Sequence, residues 1–439
     1  MNLVRVYALG LSGFDAPGSL NAVEEARYSF EGMLNFIRDE PYFSSFQTGH
    51  VQGLLEKGIF YLSQPHDFEI FDRISFYKNY IQPLYAEMGK WDGNVERLPE
   101  VSGWNPSSDS IFSSDFLNPY FYTLLKKSED HEALRQLGKT IFFDAKISGN
   151  SNMSCATCHL PEKTFTDGAA KSESNVEGKT VLRNSPSLYN AVFARRFFYD
   201  LRAFYLEQQA EHVIYNEHEF NTSYESIIEK IKLQPTYRKS FRKVFKDGKI
   251  NKQNFSKALA SYVASLNSFD SDFDRFMRNE KSVSQDVQKG FNLFMGKAAC
   301  ATCHFVPHFS GLVPPFYNEN ESEVLGVNKQ PLNRGSKQLD DDEGRAKSPV
   351  TKEQSWIFNN SFKTVSVRNV ALTAPYFHNG AFETLDEVME FYNEGGGAGV
   401  GLKVENQTLA PDKLNLTEKE VRQIIAFLQS LTDNSKSKN

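Results

Sequence analysis

All four cysteines of the chain lie in two copies of one short motif. Residues 154–159 read SCATCH and residues 299–304 read ACATCH. In each copy, two thiols are separated by two residues and followed directly by a histidine. No cysteine is left to join distant segments by a disulfide.

The motif C-x-x-C-H has three interpretations. A redox-active dithiol is typical next to a βαβ pattern, which neither copy has. A zinc site made of two C-x-x-C pairs usually separates them by about 15–20 residues, far fewer than lie between these two copies. Covalent attachment of haem c needs two thiols for the porphyrin vinyl groups and an adjacent histidine for the iron.

Two copies that use every cysteine favour haem c at both positions. The predicted first haem is held by Cys155 and Cys158 with His159 as axial ligand, and the second by Cys300 and Cys303 with His304. Haem c is attached outside the bacterial cytoplasm. The protein is therefore predicted to be periplasmic or otherwise exported, with a signal peptide that this sequence does not include.

Charge and hydropathy narrow the possible partners. The net charge of −6 over 439 residues does not suggest a nucleic-acid partner. It would suit a small redox protein with a basic face. No stretch approaches 18 apolar residues, so no membrane span is expected. The oligomeric state stays open.

The periodicity of apolar residues predicts an all-α fold with two cytochrome-c-like haem domains and an extra helical N-terminal region. Residues 1–112 form that region, of unknown role, with a first long helix over 22–38. Residues 113–275 surround the first motif and residues 285–435 the second. Residues 318–355 are polar and predicted to be a surface excursion with little regular structure.

Three further segments carry a family resemblance. They read LGKTIFFDAKISGNSNMSCATCHLPEKTFTDG, RNSPSLYN and VSVRNVALTAPYFHNGAFETLDEV. Together they resemble the bacterial di-haem cytochrome c peroxidase family, which also includes MauG, over residues 113–432. The resemblance implies that the N-terminal haem reacts with hydrogen peroxide and that the C-terminal haem transfers electrons.

The resemblance also implies residues beside the peroxide-reacting haem. The family has a glutamine and a glutamate ten residues apart, matched here by Gln209 and Glu219. A carboxylate there can take a proton from one peroxide oxygen and return it to the other, as general base and then acid. Tyr199 stands where the family usually has a tryptophan between the haems.

The remaining axial ligands separate the roles of the two haems. In typical peroxidases of the family a histidine after the first motif caps the first haem, but this chain has none between His159 and His212. The first haem is therefore predicted to be open, with His212 and His218 lining the pocket or exposed. For the second haem the resemblance points to Tyr392, as in MauG, with Met389 as its competitor.

A calcium ion between the haem domains is implied by the resemblance, with Asn184 and the carbonyl groups of Thr373 and Pro375 as ligands. Three functions follow. The first is a peroxidase that receives electrons from a small cytochrome c or cupredoxin. The second is MauG-like, peroxide-dependent oxidation of side chains on a partner protein. The third is a non-catalytic di-haem electron carrier, disfavoured by the Gln209/Glu219 pair and the missing cap.

Overall fold

The computed structural model describes residues 1–92, 102–335 and 337–433. The regular structure of this part of the chain is mainly helical, as predicted. Its sheet is a single antiparallel pair, β1 (Ser322–Val324) and β2 (Ser361–Lys363), with Glu323 opposite Phe362. No helix among the described residues is long and apolar enough to cross a membrane.

The N-terminal residues form a group of helices with a shared apolar core. These are α1 (Asn2–Ala8), α2 (Ala22–Asp39), α3 (Gly49–Leu62), α4 (Arg73–Phe76) and α5 (Gln82–Gly89). The helix predicted over 22–38 is confirmed as α2. The helix begins directly after Asn21, whose side chain makes no capping hydrogen bond.

One buried arginine fastens these helices together and to the second half of the chain. The guanidinium of Arg73 is fully buried and donates to the carbonyl oxygens of Leu11 (2.8 Å), Phe68 (2.9 Å) and Phe71 (3.0 Å). Its backbone N–H donates to the side chain of Asn292 at 3.1 Å. Burial disfavours the charged form of Arg73 and lowers its pKa to about 9. The three carbonyl oxygens stabilise the buried charge by accepting its hydrogen bonds.

The middle of the chain surrounds the first motif. Its helices are α6 (Glu132–Phe143), α7 (Cys155–Cys158), α8 (Leu206–Tyr215), α9 (Tyr224–Leu233), α10 (Pro235–Val244) and α11 (Lys252–Ser265). Helices α6 and α11 cross at Gly138, where an added Cβ would overlap the carbonyl oxygen of Ala258. Only glycine permits so close an approach of two helix backbones.

The last third repeats this construction around the second motif. Its helices are α12 (Asp272–Met277), α13 (Gln285–Met295), α14 (Leu385–Asn393), α15 (Gly396–Gly399) and α16 (Glu418–Ser430). Helices α13 and α16 cross at Gly290, where a Cβ would overlap the carbonyl oxygen of Gln423. Thr417 and Glu420 form a capping box at the start of α16. Each motif thus follows a helix that crosses a later helix at a glycine.

Substitution at the second crossing tests its importance. Gly290→Ala should lower the free energy of unfolding by about 1–3 kcal/mol, because the helices must separate to admit the methyl group. Gly53→Ala in α3, where an added Cβ meets nothing within 4 Å, should instead raise it by about 0.5–1 kcal/mol. Denaturant unfolding of both variants measures the difference, and equal stability of the two would contradict the account.

Candidate active site

The first motif forms a single helical turn that aims its histidine at a cavity. In α7, Ser154 and Thr157 form a capping box. The Nδ1 atom of His159 lies 2.9 Å from the carbonyl oxygen of Phe165. A carbonyl can only accept, so Nδ1 carries the proton and Nε2 keeps a free lone pair, which is the state that binds a metal.

The second motif reaches the same state by a different local geometry. Residues Cys300–Thr302 form a 3-10 turn that starts after Ala299, whose φ of 51° is left-handed. The Nδ1 atom of His304 lies 3.2 Å from the carbonyl oxygen of Phe309. Burial lowers the pKa of His304 to about 4, so this imidazole is neutral and its Nε2 is also free.

The thiols do not have the properties of a redox dithiol or a zinc site. All four cysteines are unpaired, and burial raises the pKa of Cys155 to about 12 and that of Cys158 to about 11. Reactive dithiols show the opposite shift. Among the described residues, no group of three or more His, Cys, Asp or Glu side chains could hold a metal ion. Pairs of buried thiols, each pair beside a metal-ready imidazole, do fit covalent haem.

A cavity of about 850 Å³ opens beside the first motif, and Cys155, Cys158 and His159 lie in its wall. This volume is at the upper end of the range for cofactor sites in proteins. The other walls come from α8, α11 and the segment 181–188 and are mainly apolar. A flat, largely apolar group attached to the two thiols fits this space.

Gln209, Glu219 and Tyr199 line the same cavity, so the structure brings these three predicted residues together. Glu219 accepts a hydrogen bond from the Nδ2 atom of Asn216 at 2.6 Å. Burial raises the pKa of Glu219, and the Asn216 hydrogen bond and the charge of Arg202 oppose that shift. A carboxyl group held in this way can take up and release a proton inside the cavity.

Arg202 is a cavity residue that was not identified from the sequence, and it lies near His212. Arg202 stacks its guanidinium 3.5 Å from the ring centre of Phe198, and His212 meets the same ring edge-on at 5.6 Å. Burial lowers the pKa of His212, and Arg202 lowers it further. His212 therefore lines the cavity as expected, whereas His218 contacts Ser174 and lies outside the cavity wall. No sequence signal distinguishes Arg202 from a surface arginine.

A chain of ion pairs joins the cavity to the second half of the protein. Arg183 donates to both oxygens of Asp342, at 2.6 and 3.0 Å, and to Asp200 at 2.7 Å. Asp200 in turn accepts from Arg202 at 2.8 and 3.0 Å. The side chains of Arg183, Asp200 and Asp342 are at most 10% exposed, so each charge depends on its neighbours.

The polar segment 318–355, which contains Asp342, also supplies a second group of ion pairs around Glu353. Glu353 pairs with both Arg196 and Arg345, and the Arg345 contact is 2.8 Å. Residues 318–355 have little regular structure, as predicted, but the expectation of a purely surface segment was wrong. Asp342 and Glu353 are buried because arginines from the first half of the chain reach them.

The two candidates for the second axial ligand occupy different surroundings. Tyr392 lies beside the second motif: burial raises the pKa of its phenol, and Cys303, Cys300 and Glu323 add to the shift. Met389 is 4% exposed and packs in the main hydrophobic core. Both residues lie on α14, and Cys300 packs against the same core that contains Met389.

Asn184 lies where the two halves meet. Its backbone N–H donates to the carbonyl oxygen of His378 at 2.8 Å, and its Nδ2 atom donates to that of Ala169 at 2.8 Å. Thr373 and Pro375 precede His378 by a few residues. Within the described residues, neither of their carbonyl oxygens accepts a backbone hydrogen bond.

The sequence of this chain is similar to those of several known proteins. The sequence profile of a family described as di-haem cytochrome c peroxidase matches residues 132–282. The methylamine utilization protein MauG of Methylophilus methylotrophus is 31% identical, over 67% of this chain and 81% of that protein. The cytochrome c551 peroxidase of Pseudomonas aeruginosa is 32% identical, over 72% of this chain and 83% of that protein.

Solved structures agree on the fold. A MauG-like protein associated with microbial copper homeostasis superposes with a TM-score of 0.59 and 26% identity, covering 70% of this chain and 91% of that one. The di-haem peroxidase BthA of Burkholderia thailandensis gives a TM-score of 0.56 at 21% identity, which shows the fold alone.

The fold and the site are those of a mainly helical, cytochrome-c-like haem oxidoreductase. The chain belongs to the di-haem cytochrome c peroxidase family, which includes MauG. The family assignment from the sequence is therefore confirmed, and with it the peroxidase type of activity and haem as the cofactor.

Proposed function

We propose that the protein reduces hydrogen peroxide in the first cavity with electrons that enter through the second haem. Haem c would be attached at Cys155 and Cys158 with His159 on its iron, and at Cys300 and Cys303 with His304. The observation that carries this proposal is the cavity that joins Cys155, Cys158 and His159 to Gln209 and Glu219.

Bound in the cavity, the haem supplies the iron and the electrons that peroxide reduction requires. Glu219 accepts a proton from one peroxide oxygen and donates it to the other, which can then leave as water. The side-chain amide of Gln209, in the same wall, donates a hydrogen bond that orients the peroxide. Tyr199 lies between the cavity and β2, where its carbonyl oxygen accepts from the backbone N–H of Lys363 at 2.7 Å.

The role of Glu219 can be tested with a neighbouring control. Glu219→Gln should slow the reaction with peroxide by about 10²–10⁴-fold, since an amide cannot carry the proton. Glu217→Gln should have no such effect, because the side chain of Glu217 is 81% exposed. Stopped-flow spectroscopy of the haem bands measures both rates.

The same proposal fixes the sign of the pH dependence. Glu219 acts first as a base and needs its charged form, and burial raises its pKa. The peroxide reaction should therefore slow as the pH falls through this raised pKa, at higher pH than for an ordinary glutamate. The Glu219→Gln variant should lack this dependence. An identical pH profile in both proteins would contradict the assignment.

We further propose Tyr392 as the second axial ligand of the second haem. Its buried phenol is close enough to Cys303 and Cys300 for their charges to raise its pKa, and the family resemblance places a tyrosine ligand at this position. Tyrosinate stabilises ferric iron more than methionine does, which lowers the reduction potential.

Paired substitutions distinguish the two ligands. Tyr392→Phe should change the absorption spectrum of the second haem and raise its potential, because the anionic ligand is lost. Met389→Leu, a volume-conserving core change, should leave both unchanged. Spectroelectrochemical titration measures both properties. The reverse pattern would identify methionine as the ligand.

Tyr392 and the missing capping histidine also favour a second candidate function, MauG-like oxidation of side chains on a partner protein. A ligand that stabilises ferric iron makes the second haem a poor electron store. Incubation with peroxide and reduced cytochrome c distinguishes the two functions, since only the peroxidase oxidises the cytochrome at a catalytic rate. A pure electron carrier would have no use for the carboxyl group in the cavity.

We propose a calcium ion held by the side-chain oxygen of Asn184 and the carbonyl oxygens of Thr373 and Pro375, because oxygen ligands of this kind suit calcium. The hydrogen bond between Asn184 and His378 supports their proximity. Elemental analysis of the purified protein should find calcium in wild type and much less in Asn184→Ala.

The proposal includes the three regions 1–112, 113–275 and 285–435 and a periplasmic or exported location. The paired helix crossings at Gly138 and Gly290 support two haem units of similar construction. The contacts of Arg73 support an N-terminal region attached to the second unit.

A further inference from the structure

The cavity wall contains two tyrosines that differ in their access to solvent. The phenol of Tyr199 is buried, which raises its pKa. Tyr215, the last residue of α8, is 48% exposed. Oxidation of a phenol to a neutral radical removes one electron and one proton, so it needs a proton acceptor. Water can serve Tyr215 in this way more readily than Tyr199, which is only partly exposed.

Tyr215 also belongs to a pair of aromatic rings that leads back to the first motif. Its ring centre lies 6.2 Å from that of Tyr224, which is 1% exposed. The hydroxyl of Tyr224 lies 3.1 Å from that of Ser256, a residue of the cavity wall. Through Ser256, the phenol of Tyr224 contacts the wall of the cavity that contains Cys155.

A nearby positive charge makes the two phenols, Tyr215 and Tyr224, differ in how easily they lose an electron. The Nζ atom of Lys252 lies 4.8 Å above the ring of Tyr224 and pairs with Glu211 at 2.8 Å. A cation over a ring opposes the loss of an electron from it. No such cation lies over Tyr215 in the described part of the chain. Between the two phenols, Tyr215 is the easier one to oxidise.

We propose that Tyr215 is a surface oxidation site at which small phenols are oxidised at the expense of peroxide. The proposal rests on the peroxide reaction proposed above. Reduction of one hydrogen peroxide to two waters takes two electrons and two protons. Tyr215 gives one electron towards the cavity and its phenolic proton to water. A dissolved phenol then returns an electron and a proton to Tyr215 and becomes a phenoxyl radical, and two such cycles consume one peroxide.

Tyr205 provides a matched control. It directly precedes α8, is 38% exposed and lies outside the cavity wall. It has no ring contact among the described residues. Tyr205→Phe and Tyr215→Phe therefore remove similar hydroxyl groups from opposite ends of one helix, and only one of them belongs to the cavity. Phenylalanine keeps the ring that packs on Tyr224.

The experiment uses the protein with both haems attached. After addition of one equivalent of hydrogen peroxide, freeze-quenched samples of wild type and both variants are examined by electron paramagnetic resonance. A tyrosyl radical signal is expected in wild type and Tyr205→Phe and should be lost in Tyr215→Phe. Equal haem content and equal visible spectra before peroxide show that all three proteins are folded.

Steady-state oxidation of guaiacol by peroxide provides the second readout, and it should be lost in Tyr215→Phe alone. A radical signal and a guaiacol rate unchanged by Tyr215→Phe would overturn the surface site. If wild type still oxidises reduced cytochrome c with peroxide in that case, the proposed function stands without it. If wild type does not consume peroxide at all, both proposals fail.

Discussion

The contact on which both motifs depend is the crossing of two helices at a glycine. At Gly138 and at Gly290 the backbone of one helix lies directly against a carbonyl group of another. This contact fixes the helix before each motif relative to the helix that ends its unit. Along the chain, the one-turn segments that contain the cysteines come after helices α6 and α13. The close backbone contact at each crossing positions the segment that leads to each motif.

The two halves share one hydrophobic core and are also joined by buried ion pairs. Arg183 and Arg196 of the first half meet Asp342 and Glu353 of the second in largely buried ion pairs. Removing one partner from such a pair leaves an uncompensated charge, which is far more costly than losing a surface contact. The ion pair between Arg183 and Asp342 continues through Asp200 to Arg202 in the cavity wall. Residues from both halves therefore hold the turn that contains Tyr199 and Arg202.

Local chemistry could be predicted from the sequence, and long-range pairing could not. The motif cysteines, their histidines and helix α2 were recognisable because each is encoded within a few residues. Asp342 stands in a run of acidic residues, and nothing in that run distinguishes it from the exposed Asp341, whose side chain is 83% exposed. Its partner Arg183 is 159 residues away.

The contacts of Arg73 affect the order in which parts of the protein can fold. Its three carbonyl partners lie within the N-terminal residues, but the helix that closes over it carries Asn292 and precedes the second motif. An N-terminal segment synthesised alone would expose this side of its core until residue 292 had emerged. The N-terminal helices therefore complete their core only when the helix that precedes the second motif packs against them.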